Sequence, residues 1–239
     1  MFPLRDDNPR RGPAPVVVTL IVVNVAIFLY QFLLLVQSPE AAEAFVYALG
    51  SVPARISEAL AGRYPLSLSV PGMATSIFLH GGWMHLIGNM WFLWVFGDNI
   101  EDELGHRDFL LFYVGTGLLA SLAHYLLNPT SPVPAIGASG AISGVMGAYL
   151  VRFPRARVTT LVPIVIIFTT VELPAAVMLA YWFAIQFFSG AASIGAEGGG
   201  VAWWAHIGGF VAGAVWMYLY MRRPKIEVLP PEPRLRRRF

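Results

Sequence analysis

The sequence predicts an all-α fold, a polytopic membrane bundle of six transmembrane helices, on three observations. Of the 239 residues, 56% are hydrophobic and only 13% charged, whereas an average soluble domain carries roughly 25% charged residues. A soluble domain of this length has no interior large enough to hide that apolar surface. Asp, Glu, Lys and Arg are absent from 12–39, 64–97, 109–151, 158–171, 173–196 and 198–221, and a bilayer-crossing helix needs about 20 apolar residues. The basic residues, finally, gather on alternate loops.

Taken in order, the spans fall at 16–36, 83–98, 109–127, 138–153, 172–190 and 203–221, separated by Pro, Gly, Ser or charge clusters. Arg5, Arg10 and Arg11 precede the first run, and Ala42-Glu43-Ala44 imitates a cleavage site. The run nevertheless exceeds the roughly 7–15 apolar residues of a signal-peptide core, so it reads as a retained helix. The stretch 158–190 is too long for one span. Its first part, 159–171, is β-branched and broken by Pro163, which suits an interfacial strand or a re-entrant segment. Glu172 and Pro174 then start the fifth helix, Pro being tolerated in a first turn. The alternative is a single tilted helix with Glu172 as an intramembrane acid. The longest extramembrane piece, 38–80, mixes polar and apolar residues without a period and reads as a partly inserted outer loop. Gly198-Gly199-Gly200 reads as a flexible outer loop.

With a cytoplasmic N-terminus, 14 of the 16 basic residues lie inside and only Arg55 and Arg63 lie outside. The positive-inside rule therefore puts both termini in the cytoplasm. This divides the chain into a cytoplasmic segment 1–15, a six-helix membrane domain 16–221 and a basic cytoplasmic tail 222–239 that anchors at lipid headgroups. The pI near 9.0 does not imply nucleic acid, because the basic residues form no patch on a soluble face. Zero cysteines exclude disulfides, thiol nucleophiles and Cys-based metal sites. The compact chain suggests a bacterial inner membrane.

Polar groups inside a span are costly and usually functional. Three clusters qualify: His85 with Asn89 on one helical face, Gly137-Ala138-Ser139-Gly140 at the start of the fourth span, and His206 at the start of the sixth. His85, Ser139 and His206 lie 12, 14 and 15 residues above the cytoplasmic ends of their spans. At about 1.5 Å per residue they stand at roughly 18, 21 and 22 Å in a core of about 30 Å. That common level lies below the outer surface, so the serine needs a water-filled recess. Gly140 with Gly144, and Gly209 with Gly213, are small-xxx-small patterns that let helices approach closely. Packing span four on span six would bring Ser139 to His206.

A serine hydroxyl needs an adjacent base, and histidine suits that role near neutral pH. Asn89, His85 and the Ser139 backbone N–H could stabilise an oxyanion. No Asp or Glu lies at this level, which predicts a Ser139–His206 dyad without an acidic third member. Taken singly, each residue has a structural explanation: helix packing for Ser139, interhelical hydrogen bonding for His206, His85 and Asn89. Their shared depth favours the joint reading. His80 reads as structural or as ordering the recess; His106 and His124 read as structural. Trp83, Trp203 and Trp204 fit interfacial anchoring.

These residues resemble the rhomboid family of intramembrane serine proteases, through His80-Gly81-Gly82-Trp83-Met84-His85-Leu86-Ile87-Gly88-Asn89, then Gly137-Ala138-Ser139-Gly140, then His206-Ile207-Gly208-Gly209 with Gly213. Phe96-Gly97-Asp98-Asn99-Ile100-Glu101 through Gly105 is similar to the family's acidic stretch after the second helix. The resemblance implies Ser139 as nucleophile, His206 as general base, and His85 and Asn89 as oxyanion stabilisers. It implies cleavage of membrane-protein substrates in their transmembrane helices near small residues, with the lipid bilayer as medium and no metal or organic cofactor. Two family features are missing. No Trp-Arg pair anchors the first outer loop, and Ser143 stands where some members carry an aromatic that supports the histidine ring, which must find other packing. A non-proteolytic rhomboid-like chaperone that holds client helices is the alternative, which intact Ser139 and His206 disfavour. A transporter would need polar groups through the whole membrane.

Overall fold

The computed structural model describes residues 1–164, 167–193 and 201–223. The Gly198-Gly199-Gly200 loop and the tail from 224 onward lie outside those residues. Six longer helices, interrupted by short ones, carry the chain. α1 (Pro15–Gln37) leads into a connecting segment of α2 (Pro39–Leu49), α3 (Pro53–Leu60), α4 (Leu66–Ser69), α5 (Gly72–Thr75) and a 3₁₀ turn, Ser76–Phe78. Then come α6 (Trp83–Leu104), α7 (His106–Leu127), α8 (Ser139–Arg152), α9 (Ala175–Ala192) and α10 (Trp203–Met221). By length and composition, α1, α7 and α9 are apolar enough to cross a membrane.

α1 is built inside out relative to a helix in water. Its buried stripe is Val17, Leu20, Asn24, Phe28 and Gln31, a helical repeat that includes two amides. Its outward face carries Val18, Val22, Leu29, Leu33 and Val36, all exposed. Apolar residues outside and amides inside suit a hydrocarbon surround. Asn24 Nδ2 donates to the Leu20 carbonyl at 2.7 Å, while its buried Oδ1 has no partner among the described residues. Gln31 spans the His80 peptide, accepting from its N–H at 3.1 Å and donating to its carbonyl at 3.3 Å. Ala14 gives α1 no side-chain cap. Instead the buried Glu101 carboxylate accepts from the Val16 and Val17 N–H groups at 3.0 and 2.8 Å, placing an anion at the positive helix end. The same carboxylate lies 2.6 Å from His106 Nδ1, which gives that histidine its structural partner.

A purely α reading needs correcting. β1 (Phe2–Asp6), β2 (Arg157–Ile164) and β3 (Ile167–Pro174) form an antiparallel sheet in the order β1-β2-β3. The β-branched run at 158–160 alternates, with Val158 and Thr160 buried, and that pattern favours a strand. Phe2 pairs with Leu161 and Asp6 with Val158 across an irregularity between Pro3 and Arg5. The segment after 158 is thus a hairpin, which excludes the single long helix. Glu172 does not start the fifth helix either. It lies in β3 opposite Thr159, exposed, 3.8 Å from Arg157, and Pro174 is the N-cap of α9.

β1 also runs along α6. Trp91 Nε1 donates to the Pro3 carbonyl at 2.6 Å, Phe2 packs on Trp91 and Phe92, and Asn99 Nδ2 donates to Asp6 at 3.0 Å. The Tyr149 hydroxyl, at the far end of α8, donates to the same Asp6 carboxylate. Burial pushes the Asp6 carboxyl up to about 6, with the Tyr149 hydrogen bond opposing and the Asp98 and Asp7 charges reinforcing.

The segment between α1 and α6 is ordered by local chemistry rather than by the missing Trp-Arg pair. Ser38 Oγ accepts from Ala41 N–H at 3.1 Å and caps α2. The Arg55 guanidinium donates to the Tyr47 carbonyl and stacks 5.4 Å over the Tyr47 ring and 6.0 Å over Tyr64. α8 and α10 cross at their glycines. A Cβ on Gly209 would meet the Gly140 carbonyl, and one on Gly213 the Gly144 carbonyl. On the other side of α8, a Cβ on Gly140 would stand 2.6 Å from Ala120 Cβ of α7.

Candidate active site

The loop before α8 is braced so that Ser139 opens the helix at a defined point. Ser51 and Ala135 exchange N–H···O bonds of 3.1 and 2.8 Å, and Gly137 N–H donates to the Ser76 carbonyl at 2.9 Å. Gly137 takes φ +128°, a region that side chains disfavour. A Cβ there would also stand 2.7 Å from His85 Nε2. Glycine is required twice at this position.

Ser139 Oγ and His206 Nε2 are 2.8 Å apart, joined by the close crossing of α8 and α10. The other ring nitrogen, His206 Nδ1, lies 2.7 Å from Gln186 Oε1 on α9. The imidazole packs between Trp182, centroids 6.0 Å apart, and Trp203, edge-on at 6.3 Å. These two aromatics supply the packing that Ser143 cannot. Ser143 instead turns its hydroxyl back to the Ser139 carbonyl at 2.6 Å.

A cavity of about 270 Å³ fronts this pair. Ser139, His206, His85 and Asn89 all line it, with Met84, Phe92, Met146, Trp182 and Gln186 among the remaining walls. Asn89 is buried, and its Nδ2 has no hydrogen-bond partner among the described residues; a donor left bare in a buried site costs free energy unless a ligand takes it. His85 Nδ1 accepts from the Gly81 N–H at 3.3 Å, which leaves Nε2 carrying the proton and able to donate. No side chain caps the α8 N-terminus, so the free N–H groups at its start present partial positive charge. The arrangement offers a hydroxyl against a ring nitrogen, with three kinds of donor around one cavity.

Behind Ser139 a second cavity of about 20 Å³ is lined by Ser76, Ser121, His124 and Gly137, among others, room for about one water. His124 Nδ1 faces no protein partner. His80 is buried 5.2 Å from the His85 ring, centroid to centroid, and packs beside the cavity rather than lining it. Among the described residues no group of three or more His, Asp or Glu side chains could hold a metal ion. The sequence argument missed Gln186. The signal was present: it is the only amide in the charge-free run 173–196, and an intramembrane amide needs a partner.

The fold and site define a class: a predominantly helical integral membrane protein whose polar side chains converge on a recess. Residues 69–223, well over half of the chain, match the Rhomboid domain family, and the chain belongs to that family. Similar proteins include the rhomboid protease GluP of Bacillus subtilis (strain 168), 42% identical over 78 residues, 33% of this chain and 15% of GluP. Rhomboid-like protein 11, chloroplastic, of Arabidopsis thaliana is 41% identical over 70 residues, 29% of this chain and 25% of that protein. The presenilin-associated rhomboid-like protein, mitochondrial, of Mus musculus is 30% identical over 132 residues, 52% of this chain and 34% of that protein. The chain thus spans about a third or less of these relatives.

Proposed function

We propose that this chain is an intramembrane serine endopeptidase that cleaves membrane-protein substrates within their transmembrane segments. The observation that carries the reading is the 2.8 Å contact between Ser139 Oγ and His206 Nε2 at the edge of a donor-lined cavity. Ser139 Oγ attacks the scissile carbonyl carbon while His206 Nε2 takes its proton. The carbonyl oxygen becomes an oxyanion, received by Asn89 Nδ2, the Ser139 N–H and His85 Nε2. Collapse returns the proton from His206 to the leaving amine, leaving an acyl ester on Ser139. Water then attacks the ester with His206 again taking the proton, and the carboxylate product departs as Ser139 regains its hydrogen. Gly137 keeps room for His85, while Gly140 and Gly209 let the serine and histidine helices meet.

In this reading α1, α6, α7, α8, α9 and α10 are the six spans of a protease domain at 16–221. The segment 1–15 and the tail 222–239 are cytoplasmic, in a bacterial inner membrane. α8 is about 21 Å long and crosses only part of the core, sheltered by its neighbours. Reconstituted in liposomes, the protein should cut a model single-span substrate, and Ser139→Ala and His206→Ala should each lower the rate by about 10⁴ or more. A protein that only holds client helices would bind the substrate and leave it whole. Equal cleavage by wild type and Ser139→Ala would overturn the proposal.

A further inference from the structure

We infer that Gln186 is a positioning residue for the general base, the third member of a hydrogen-bonded line Ser139–His206–Gln186 and a neutral amide that orients the ring without taking its proton; the inference rests on the protease reading above. Gln186 is buried on α9. Its Oε1 is an acceptor only, so the 2.7 Å contact with His206 Nδ1 requires the proton on Nδ1. That tautomer leaves the Nε2 lone pair facing Ser139 Oγ at 2.8 Å, the form that can take a proton. The opposite tautomer would donate to the serine and block the base. The hydrogen bond also fixes the ring's rotation, which the tilted contact with Trp182 restrains only loosely.

An amide suits this depth. A carboxylate at the same place would carry a buried charge with no Lys or Arg in its own run 173–196 or in the runs 64–97, 109–151 and 198–221 that hold the other site residues, and burying an unpaired charge is costly. The amide supplies orientation and tautomer selection without that cost, and without the full electrostatic support a carboxylate gives an imidazolium. α9 therefore contributes to the chemistry from a helix that holds neither nucleophile nor base.

The test uses the full-length protein in detergent, with Gln186→Leu and Gln186→Glu beside Ser139→Ala. Three quantities are read: the rate of fluorophosphonate attachment to Ser139 across pH, kcat and KM for the model substrate, and the thermal midpoint. Gln186→Leu should lower kcat and the labelling rate by about 10- to 100-fold, as loss of an orienting partner does. KM should stay within about twofold and the midpoint within a few degrees. Gln186→Glu keeps an acceptor and should restore labelling at high pH. Because its carboxylate favours the imidazolium, the acid limb of the pH–rate profile should move to higher pH by about one unit. Wild-type rates in Gln186→Leu, or a Gln186→Glu profile that neither recovers nor moves, would overturn the role of Gln186. Absence of Ser139 labelling and cleavage in the wild type would overturn the protease reading and this inference together.

Discussion

Replacing Gly213 by alanine adds one carbon where α10 crosses α8, and its consequence follows from distances. The new Cβ would stand 2.6 Å from Gly144 Cα and 2.5 Å from its carbonyl carbon, where ordinary contact begins at 3.4 Å. The opposing atoms are backbone and cannot rotate aside, so the helices must part by about 1 Å. Ser139 and His206 lie on those same two helices, toward their N-terminal ends. Opening the 2.8 Å contact by about 1 Å takes it beyond hydrogen-bonding range. A misplacement of that size costs about 100-fold in rate, and the forced separation costs about 1–3 kcal/mol of stability. Helix propensity pulls the other way, because alanine is favoured over glycine by about 1 kcal/mol. The measurements are fluorophosphonate labelling of Ser139 and the thermal midpoint in detergent. Gly88→Ala is the stability control: its Cβ meets nothing within 4 Å, so its midpoint should hold or rise. A Gly213→Ala protein with wild-type labelling and an unchanged midpoint would refute the claim that close backbone approach aligns the site.

Asn89→Ala should cut turnover about 10²–10³-fold while leaving the midpoint close to wild type, since Asn89 Nδ2 has no partner to lose in the resting protein; an unaltered cleavage rate would remove Asn89 from the oxyanion site. The N-terminal strand β1 should respond to pH through Asp6. Its carboxyl rises from 3.8 to about 6, so the fold favours the protonated form, and that contribution is complete below pH 3.8 and lost as pH climbs through about 6. Amide-exchange protection of residues 2–6 should therefore weaken above pH 6, and Asp6→Asn, which keeps an acceptor for Tyr149, should flatten the change. The same pH dependence in Asp6→Asn would assign it to another group.

The helices were legible because hydrocarbon imposes a simple rule on sequence. A charge-free run of sufficient length has few alternatives, and five of the long helices begin and end within about three residues of the expected spans, whereas α6 continues through its acidic stretch to Leu104 instead of stopping at 98. β1 was illegible for an equally physical reason. Its five residues find their partner in Arg157–Ile164, and no local periodicity announces a pairing across most of the chain. The hairpin was half legible: its β-branched residues pointed to a strand, but Glu172 resembled a helix start until its pairing with Thr159 was seen. Within the site, Ser139, His206, His85 and Asn89 stood out because each is expensive in a membrane. Gln186 was equally conspicuous by that criterion. A third member is ordinarily a carboxylate, so a neutral acceptor such as the one 2.7 Å from His206 Nδ1 does not announce itself by charge.

The enclosure of α8 bears on how the proposed site could lie below a membrane surface. Every residue from Gly140 to Tyr149 is buried, so this helix presents almost nothing to lipid, and its small residues serve contact with α7 and α10 instead. A helix enclosed in this way can be shorter than the hydrocarbon core, because its neighbours bear the contact with the acyl chains. Its first N–H groups, uncapped by any side chain, cannot stand bare in hydrocarbon. They require either water or a ligand oxygen. The bare Asn89 donor across the cavity makes the same demand. A recess that satisfied these groups with water in the resting state would already hold the second reactant of the proposed hydrolysis, and exchanging one such water for a carbonyl oxygen would deliver the first. The short helix, its glycine contacts and its unsatisfied donors are therefore one design, and lengthening α8 outward by a turn would abolish the recess along with the chemistry.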